Sequence, residues 1–419
     1  MSAPAPPAVV AGRFPPALVA LMGAVFVNLV GFGLVVPLLP FFAQALDASP
    51  WQITLMFSAY SLGQLFAEPF WGRLSDRIGR KPVLMITTAA NAFGYAALAF
   101  APDIWWAIGI RLFTGLGAGN ISTVQGYVAD VTPAEQRAGR MGMIGAAFGL
   151  GFIVGPALGG ALAGDGTTAA AYQLPLFVAG GLAAAASIGV VLFLKESRKP
   201  QTTQPSPLAA VGFATGHPVV SRVLLVTLIY MGAFSGMESA YGLWAEARYG
   251  WGAREVGWTF AVVGVVSVLF QGVLTGKLAR RFGEARVLAF GMVLFGTSLL
   301  VQTLNPVAIL TPAIMAFGAA GMALAMPNIS AMISRSTPGD RQGAVLGLNM
   351  ATGSLARIVG PLVAGFTFST LGHDVPFWTG AVLVLPAAWV AINAGRAMKR
   401  QRAADAEAAA GEAPPVLVS

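Results

Sequence analysis

Twelve apolar segments, each about as long as a helix that crosses a bilayer, follow one another along this chain. The hydrocarbon core of a bilayer is about 30 Å thick and takes roughly 20 apolar residues in helical conformation. Charged residues make up only 10% of the chain and hydrophobic residues 56%, whereas a soluble domain carries about 25% charged residues. This balance excludes a soluble enzyme with one large core, and it also excludes a disordered chain. The sequence therefore predicts an all-α integral membrane protein with twelve transmembrane helices, at 17–43, 52–71, 82–101, 104–128, 141–163, 173–194, 222–246, 255–276, 287–304, 307–332, 343–370 and 376–395.

The basic residues are distributed unevenly among the loops between these segments. Of the 25 Lys and Arg residues, 21 fall on one side of the predicted membrane, and only Arg248 and Arg254 fall on the other. Loops rich in Lys and Arg stay in the cytoplasm, so we expect a multi-pass protein of the cell inner (plasma) membrane with both termini cytoplasmic. Cations at an anionic membrane surface also account for the net charge of +8 without a nucleic-acid partner.

The two halves of the chain repeat one pattern. Gly72-Arg73-Leu74 matches Gly276-Lys277-Leu278 at an offset of 204, and Gly155-Pro156 matches Gly360-Pro361 at an offset of 205. A duplicated unit is typical of secondary transporters, whose substrate site lies between the halves near the membrane midplane. We therefore predict two pseudo-symmetric six-helix bundles at 17–195 and 221–396, a cytoplasmic linker at 196–220, and cytoplasmic tails at 1–16 and 397–419, the last disordered.

The loop after the second span reads Gly72-Arg-Leu-Ser-Asp-Arg-Ile-Gly-Arg-Lys81. One interpretation is a tight turn that needs glycine for backbone freedom and cations for orientation. The full string also resembles the signature loop of the major facilitator superfamily, and the resemblance covers about residues 17–395. In that family the charged residues of this loop make contacts between the halves that latch one access state. The resemblance implies this role for Gly72, Asp76, Arg77, Gly79 and Arg80, with Asp130 as the partner acid. Arg280 replaces the Asp in the second copy, so we expect an asymmetric latch.

A glycine-rich string marks the fifth predicted span. Gly151, Gly155 and Gly159 are four residues apart and share one helix face, which lets another helix approach closely, and Pro156 favours a bend. Generic helix packing is one interpretation. The string from Gly151 to Gly160 also resembles the motif of the drug:proton antiporter branch, which favours export over import. Span one is similar to that of tetracycline exporters but carries Asn28 in place of their Asp, and Asn cannot carry a proton.

Four charged residues within the spans are candidates for proton coupling. Arg111 resembles the family's span-four Arg, which is linked to proton coupling, although an interior structural salt bridge is the alternative. Glu238 lies well inside span seven, where removal from water favours the neutral acid, and we predict it to be the proton carrier. The alternative is a static ion pair with Arg357, which would keep the acid ionised. Glu68, near the cytoplasmic interface, either contributes to proton coupling or pairs with a loop arginine.

Polar and aromatic residues recur in otherwise apolar spans. Any one of them fits an interhelical hydrogen bond, but together they suggest a largely apolar cavity suited to amphipathic or aromatic compounds. The predicted lining residues are Asn28, Gln64, Asn120, Gln125, Tyr230, Tyr241, Trp244, Gln271, Asn328 and Asn349.

These observations predict a monomeric secondary transporter that exports a small amphipathic or aromatic, drug-like compound in exchange for protons by alternating access. Tetracycline-like compounds belong to this class. The chain has no Cys and two His, which leaves too few ligands for a metal centre, and it lacks a phosphate-binding loop. We therefore expect no cofactor, no metal and no enzymatic activity. Two alternatives keep the same fold: a proton-coupled or facilitative importer of a small metabolite, and a non-transporting sensor or scaffold. The lack of an appended soluble domain disfavours the last.

Overall fold

The computed structural model describes residues 16–164, 168–197, 207–339 and 341–411, and these residues form helices without any β-strand. Eight helices precede the linker: α1 (Pro16–Val35), α2 (Leu39–Gln44), α3 (Pro50–Ile78), α4 (Arg80–Leu98), α5 (Ile104–Ala118), α6 (Ile121–Asp130), α7 (Ala134–Leu162) and α8 (Gln173–Phe193). Eight more follow: α9 (Pro207–Gly216), α10 (Pro218–Tyr249), α11 (Ala253–Leu269), α12 (Thr275–Phe282), α13 (Glu284–Leu304), α14 (Thr311–Arg335), α15 (Gln342–Leu371) and α16 (Val375–Gly411). A short 3₁₀ turn, Val36–Leu38, joins α1 to α2, and a π-helical turn, Phe270–Leu274, joins α11 to α12.

Within this described part of the chain, nine helical segments are long and apolar enough to cross a membrane. Helices α3, α4, α5 and α6 occupy the other three predicted spans but do not meet that standard. Helix α3 contains four charged residues and several polar ones, and α4 begins with Arg80 and Lys81. The predicted fourth span is divided between α5 and α6 at Gly119 and Asn120, so each piece is short.

The repeat in the sequence is visible in how the helices start. Gly79 precedes α4 and Gly283 precedes α13, and both have positive φ, of 109° and 85°, a conformation that glycine adopts without steric cost. The chain turns sharply at each glycine, so α3 leads into α4 as α12 leads into α13. We call the end of the molecule that carries these two turns the basic end, because Arg and Lys flank both glycines.

The two halves touch at the end opposite the basic end. Gln44 of α2 donates a hydrogen bond to Glu246 of α10 at 2.5 Å. Ser58 of α3 donates to the carbonyl oxygen of Ile358 on α15 at 2.8 Å. Near the basic end, by contrast, a Cβ added to Gly142 in the first part of α7 would meet no atom within 4 Å. We call the space between the halves the gap, and the two hydrogen bonds close it at the far end.

Two segments outside the bundles differ from the prediction. The tail from 397 was expected to be disordered, but α16 continues to Gly411, because the alanine-rich sequence after Arg402 is a strong helix former. The linker contains helix α9, which packs on α10 and α15. The remainder of these predictions, at 1–15, 198–206 and 412–419, lies outside the described residues.

Candidate functional site

Charged and aromatic side chains from four helices lie within electrostatic reach of one another, and two of these helices belong to each half. They are Tyr60 and Glu68 of α3, Arg111 of α5, Glu238 of α10 and Arg357 of α15, and we call them the central cluster. Tyr60 and Glu68 are eight residues apart and therefore share one face of α3. The cluster combines residues of both halves, so its geometry depends on how the halves are placed.

Arg111 is almost completely buried, with 2% of its surface exposed. Its guanidinium carbon lies 4.2 Å from the centre of the Tyr60 ring, a cation–π contact that partly replaces lost hydration. Its Nε has no hydrogen-bond partner among the described residues. No described ion pair includes Arg111, so the alternative of a structural salt bridge finds no support there. The ring of Tyr60 is the main contact of Arg111.

Glu238 is half-buried and lies within electrostatic reach of Arg111 in the other half. Arg357 and then Arg111 act on it electrostatically, yet no described ion pair joins it to either arginine at 4.0 Å or less. The static ion pair with Arg357 is therefore not among the described ion pairs. Glu238 lies one helical turn from Gly242, which packs on Pro40 where the gap closes.

Glu68 is within electrostatic reach of Arg357. Its carboxylate accepts a hydrogen bond from Gln64 at 3.3 Å, and Arg357 acts on it electrostatically. The described ion pairs of the loop arginines do not include Glu68. The geometry thus places Glu68 with the central cluster.

The predicted cavity residues have varied surroundings. Asn120, Tyr230, Trp244 and Asn349 form hydrogen bonds within their own half, to Thr87, Met322, Asp374 and Thr227 respectively. Asn328 bonds to the backbone of its own helix, and Tyr241 packs edge-on against Phe260. Gln125 and Gln271 are exposed, and only Gln64 contacts the central cluster. The buried Oδ1 of Asn28 has no partner in the described part of the chain.

The loop motif forms a buried ionic network inside the N-terminal half. Arg80 lies 2.7 Å from Asp76 and 3.2 Å from Asp130, and Arg80 and Asp130 expose only 5% and 6% of their side chains. The carboxylate of Glu196 accepts hydrogen bonds from the backbone N–H groups of Arg80 and Lys81, at 2.8 and 3.2 Å. These contacts join α3, α4, α6 and the segment after α8.

The family resemblance implied that this loop also contacts the other half. No such contact is among the described ion pairs. Gly72 lies beside Ser122, and Arg77 is exposed.

The second half repeats this ion pair with its charges exchanged. Glu284 begins α13 as Arg80 begins α4, and Arg335 ends α14 as Asp130 ends α6. Arg335 and Glu284 are 2.6 Å apart, but Arg335 exposes 52% of its side chain. An acid at the first turn of a helix is favoured by the helix dipole, so α13 supplies its own acid. Helix α4 starts with a cation and receives the carboxylate of Glu196 instead.

The glycine motif of α7 serves two interfaces. On one face a Cβ at Gly155 would lie 2.7 Å from the carbonyl oxygen of Val30, and Gly151 and Gly159 also pack on α1. On the other face, a Cβ at Gly160 would lie 2.9 Å from the carbonyl oxygen of Arg254, at the start of α11 in the opposite half. Pro156 lies inside a continuous α7. Gly360 and Gly365 of α15 repeat the arrangement against α10 and α3.

Sequence reasoning missed three contributors to these sites. Tyr60 provides the aromatic face for Arg111, and its spacing of four from Gln64 was the signal that could have identified it. Phe32 packs on Tyr60 with ring centres 5.5 Å apart. Glu196 appeared only as the start of a linker, and its capping role depends on the three-dimensional return of the chain to α4.

Comparison with known proteins agrees with this architecture. The family model described as Major Facilitator Superfamily matches residues 21–254 and 223–418, so the chain belongs to the major facilitator superfamily of membrane transporters. It is 29% identical over 385 residues to the class C tetracycline resistance protein of Escherichia coli, covering 89% of this chain and 94% of that protein. It is 26% identical over 373 residues to multidrug resistance protein 2 of Bacillus subtilis (strain 168), covering 87% and 92%.

A solved structure has the same fold. The crystal structure of a bacterial homologue of the human lysosomal transporter Spinster, inward-facing and unoccupied, superposes with a TM-score of 0.76 at 14% identity, covering 93% of this chain and 99% of that one. The protein is therefore a multi-pass membrane transporter with close similarity to tetracycline and multidrug efflux proteins, and not an enzyme.

Proposed function

We propose that the protein exports a small, largely apolar aromatic or amphipathic compound in exchange for protons, with Glu238 as the proton carrier. The observation that carries this proposal is the position of Glu238, half-buried, outside the described ion pairs, and within electrostatic reach of Arg357 and Arg111. Such a carboxyl can change its charge without breaking a salt bridge, and each change alters the net charge of the cluster by one.

The exchange follows from competition at this carboxyl. When Glu238 is ionised it accepts hydrogen bonds, and a substrate that carries an N–H or O–H group can bind there. When Glu238 is protonated, its negative charge is lost, so its hydrogen bond to a donor group of the substrate weakens and the two arginines lose their compensating charge. Protons and substrate therefore compete for this carboxyl, as antiport requires.

The surroundings of Glu238 favour an apolar substrate. Phe234 and Met237, its neighbours on α10, line a small apolar cavity together with Phe260 and Phe295. Phe32 and Phe152 pack edge-on across the other half at 6.0 Å. Aromatic walls with few polar anchors suit a drug-like compound, in line with the names of the tetracycline and multidrug resistance relatives.

We further infer twelve spans in two six-helix bundles with both termini in the cytoplasm. Support comes from the helices found at all twelve predicted positions and from the 21-to-2 distribution of Lys and Arg between the two sides. In this orientation the far end, where the halves touch, lies on the side of the membrane away from the cytoplasm.

The decisive experiment measures proton release on substrate binding. Purified protein in unbuffered detergent solution receives tetracycline or another aromatic compound from a drug panel, and a pH dye records the protons released. We expect the wild type to release protons and Glu238→Gln to release none, because the amide side chain does not titrate.

Asp47→Asn is the matched control, since Asp47 is an exposed acid outside the central cluster and its replacement should leave proton release unchanged. The proposal fails if wild type and Glu238→Gln release equal amounts, or if proteoliposomes accumulate the compound independently of an imposed proton gradient.

A further inference from the structure

A groove lies on the outer surface of the N-terminal half, between the end of α4 and the start of α5. Its volume is about 470 Å³, and its walls include Phe93, Ala97, Trp105, Trp106 and Phe113. Phe93 and Trp106 expose 67% and 64% of their surface. In a membrane transporter, exposed apolar side chains of this size contact lipid.

The shape of the groove suits an acyl chain. The rings of Phe93 and Phe113 meet edge-on with centres 6.2 Å apart, about 12 Å along α5 from Trp105 at 1.5 Å per residue. Gly109 forms part of the floor, and a Cβ added there would meet nothing within 4 Å. This glycine is therefore not required for helix packing, and its missing side chain leaves the groove open.

A carboxylate stands at the mouth of the groove. Oδ1 of Asp103 caps α5 by accepting hydrogen bonds from the N–H groups of Trp105 and Trp106, at 2.8 and 3.1 Å. Its second oxygen has no hydrogen bond in the described part of the chain and remains available to a ligand. The loops of this half at the same end, 45–49, 99–103 and 163–172, contain no Lys or Arg. The mouth is therefore acidic, and tryptophans beside it are typical of the membrane–water interface.

We propose that this groove binds a bilayer phospholipid whose headgroup carries a primary ammonium, namely phosphatidylethanolamine. One acyl chain lies along Gly109 between the aromatic walls, and the ammonium donates a hydrogen bond to the free oxygen of Asp103. A choline headgroup has no N–H to donate, and the net negative glycerol headgroup of phosphatidylglycerol is repelled by the carboxylate. The site is separate from the central cluster and does not depend on the proposed transport cycle.

Quenching of tryptophan fluorescence by brominated lipids tests the proposal. Full-length protein is placed in nanodiscs that contain dibromo-phosphatidylethanolamine or dibromo-phosphatidylcholine at equal mole fractions. We expect quenching of Trp105 and Trp106 to saturate at roughly three- to tenfold lower mole fraction for the ethanolamine lipid, the size expected of one partly exposed charge-assisted hydrogen bond. A variant with both tryptophans changed to Phe gives the background from the other tryptophans.

Two substitutions separate the headgroup from the acyl chain. Asp103→Asn keeps the helix cap, because Asn caps as well as Asp, and should abolish the preference for ethanolamine. Gly109→Leu fills the floor and should reduce quenching by both lipids, whereas Gly181→Leu, at an exposed glycine of α8 with equally open space, should not. Equal quenching by the two lipids in the wild type, an unchanged preference in Asp103→Asn, or equal effects of the two leucine variants would overturn the proposal.

Discussion

Asp130 and Arg335 occupy matching positions in the two halves, but their burial differs. Burial decides how much the ion pair of each contributes to the stability of the fold. Asp130 compensates Arg80, and both side chains are about 95% buried, while Arg335 is half exposed. Removing one partner of a buried ion pair leaves an uncompensated charge and costs about 3–5 kcal/mol, whereas an exposed pair contributes at most about 1 kcal/mol.

We therefore expect Asp130→Ala to lower the free energy of unfolding by about 3 kcal/mol, with Asp76 retaining part of the compensation, and Arg335→Ala to lower it by less than about 1 kcal/mol. Thermal unfolding in detergent measures the two variants side by side. Equal losses of stability would show that burial does not set how much these two ion pairs contribute to the fold.

His217 links the stability of α10 to pH. Burial lowers the pKa of its imidazole, and the neutral ring accepts a hydrogen bond from the N–H of Val220 at 3.4 Å as the cap of the helix. The unfolded chain, with a histidine pKa near 6.5, then binds more protons than the folded chain around and below that pH. The contribution of His217 to stability is therefore present above about pH 6.5 and lost as the pH falls below it.

His217→Asn should remove this contribution to the pH dependence while preserving the cap, because Asn is a good capping residue without a titratable ring. The measurement is the melting temperature of wild type and variant between about pH 7.5 and 5.5. A wild type that loses no more stability than the variant over this interval would contradict the assignment.

At the scale of helices, the spacing between α1 and α7 is set by glycine. A Cβ at Gly155 would lie within 2.8 Å of Val30 and Gly33, whereas Gly145, ten residues earlier on the same helix, faces open space. Overpacking costs about 1–3 kcal/mol, and alanine in an open helix position gains up to about 1 kcal/mol over glycine.

Gly155→Ala should therefore destabilise the protein, and Gly145→Ala should leave its melting temperature unchanged or raise it. The pair is compared by thermal unfolding in detergent, with monodispersity on size exclusion as a check on folding. If both substitutions shift the melting temperature in the same direction, the glycine motif does not determine how closely α1 approaches α7.

For the whole molecule, the central question is whether the closed end must open during transport. Gln44 and Glu246 join the halves there, and Gly242 packs against Pro40 one turn further into the gap. Since the chain has no native cysteine, a cysteine pair at positions 44 and 246 can be cross-linked selectively.

We expect a short bifunctional thiol reagent to cross-link Gln44→Cys/Glu246→Cys and to abolish transport in proteoliposomes, because alternating access requires these contacts to separate. A reducible reagent should restore flux on reduction, and each single cysteine variant should stay active after the same treatment. Undiminished flux in the cross-linked protein would show that the far end stays closed throughout.

The all-helical membrane architecture followed from the sequence, because hydropathy, glycine spacing and the placement of Lys and Arg are local properties of the chain. The repeat was equally readable, and it located the glycines that later proved to sit at helix contacts. The carboxyl of Glu238 could be recognised by its depth in an apolar segment.

Only the tertiary structure decided which of these residues meet. It separated Glu238 from direct contact with Arg357, placed Tyr60 against Arg111, brought Glu196 back to the start of α4, and directed most of the predicted cavity residues into bonds within one half. Each of these outcomes depends on which helix faces oppose each other and on how the halves tilt. Side-chain periodicity along one helix contains no information about the rotation of its neighbour, so the sequence determined the composition of the site, and packing determined its geometry.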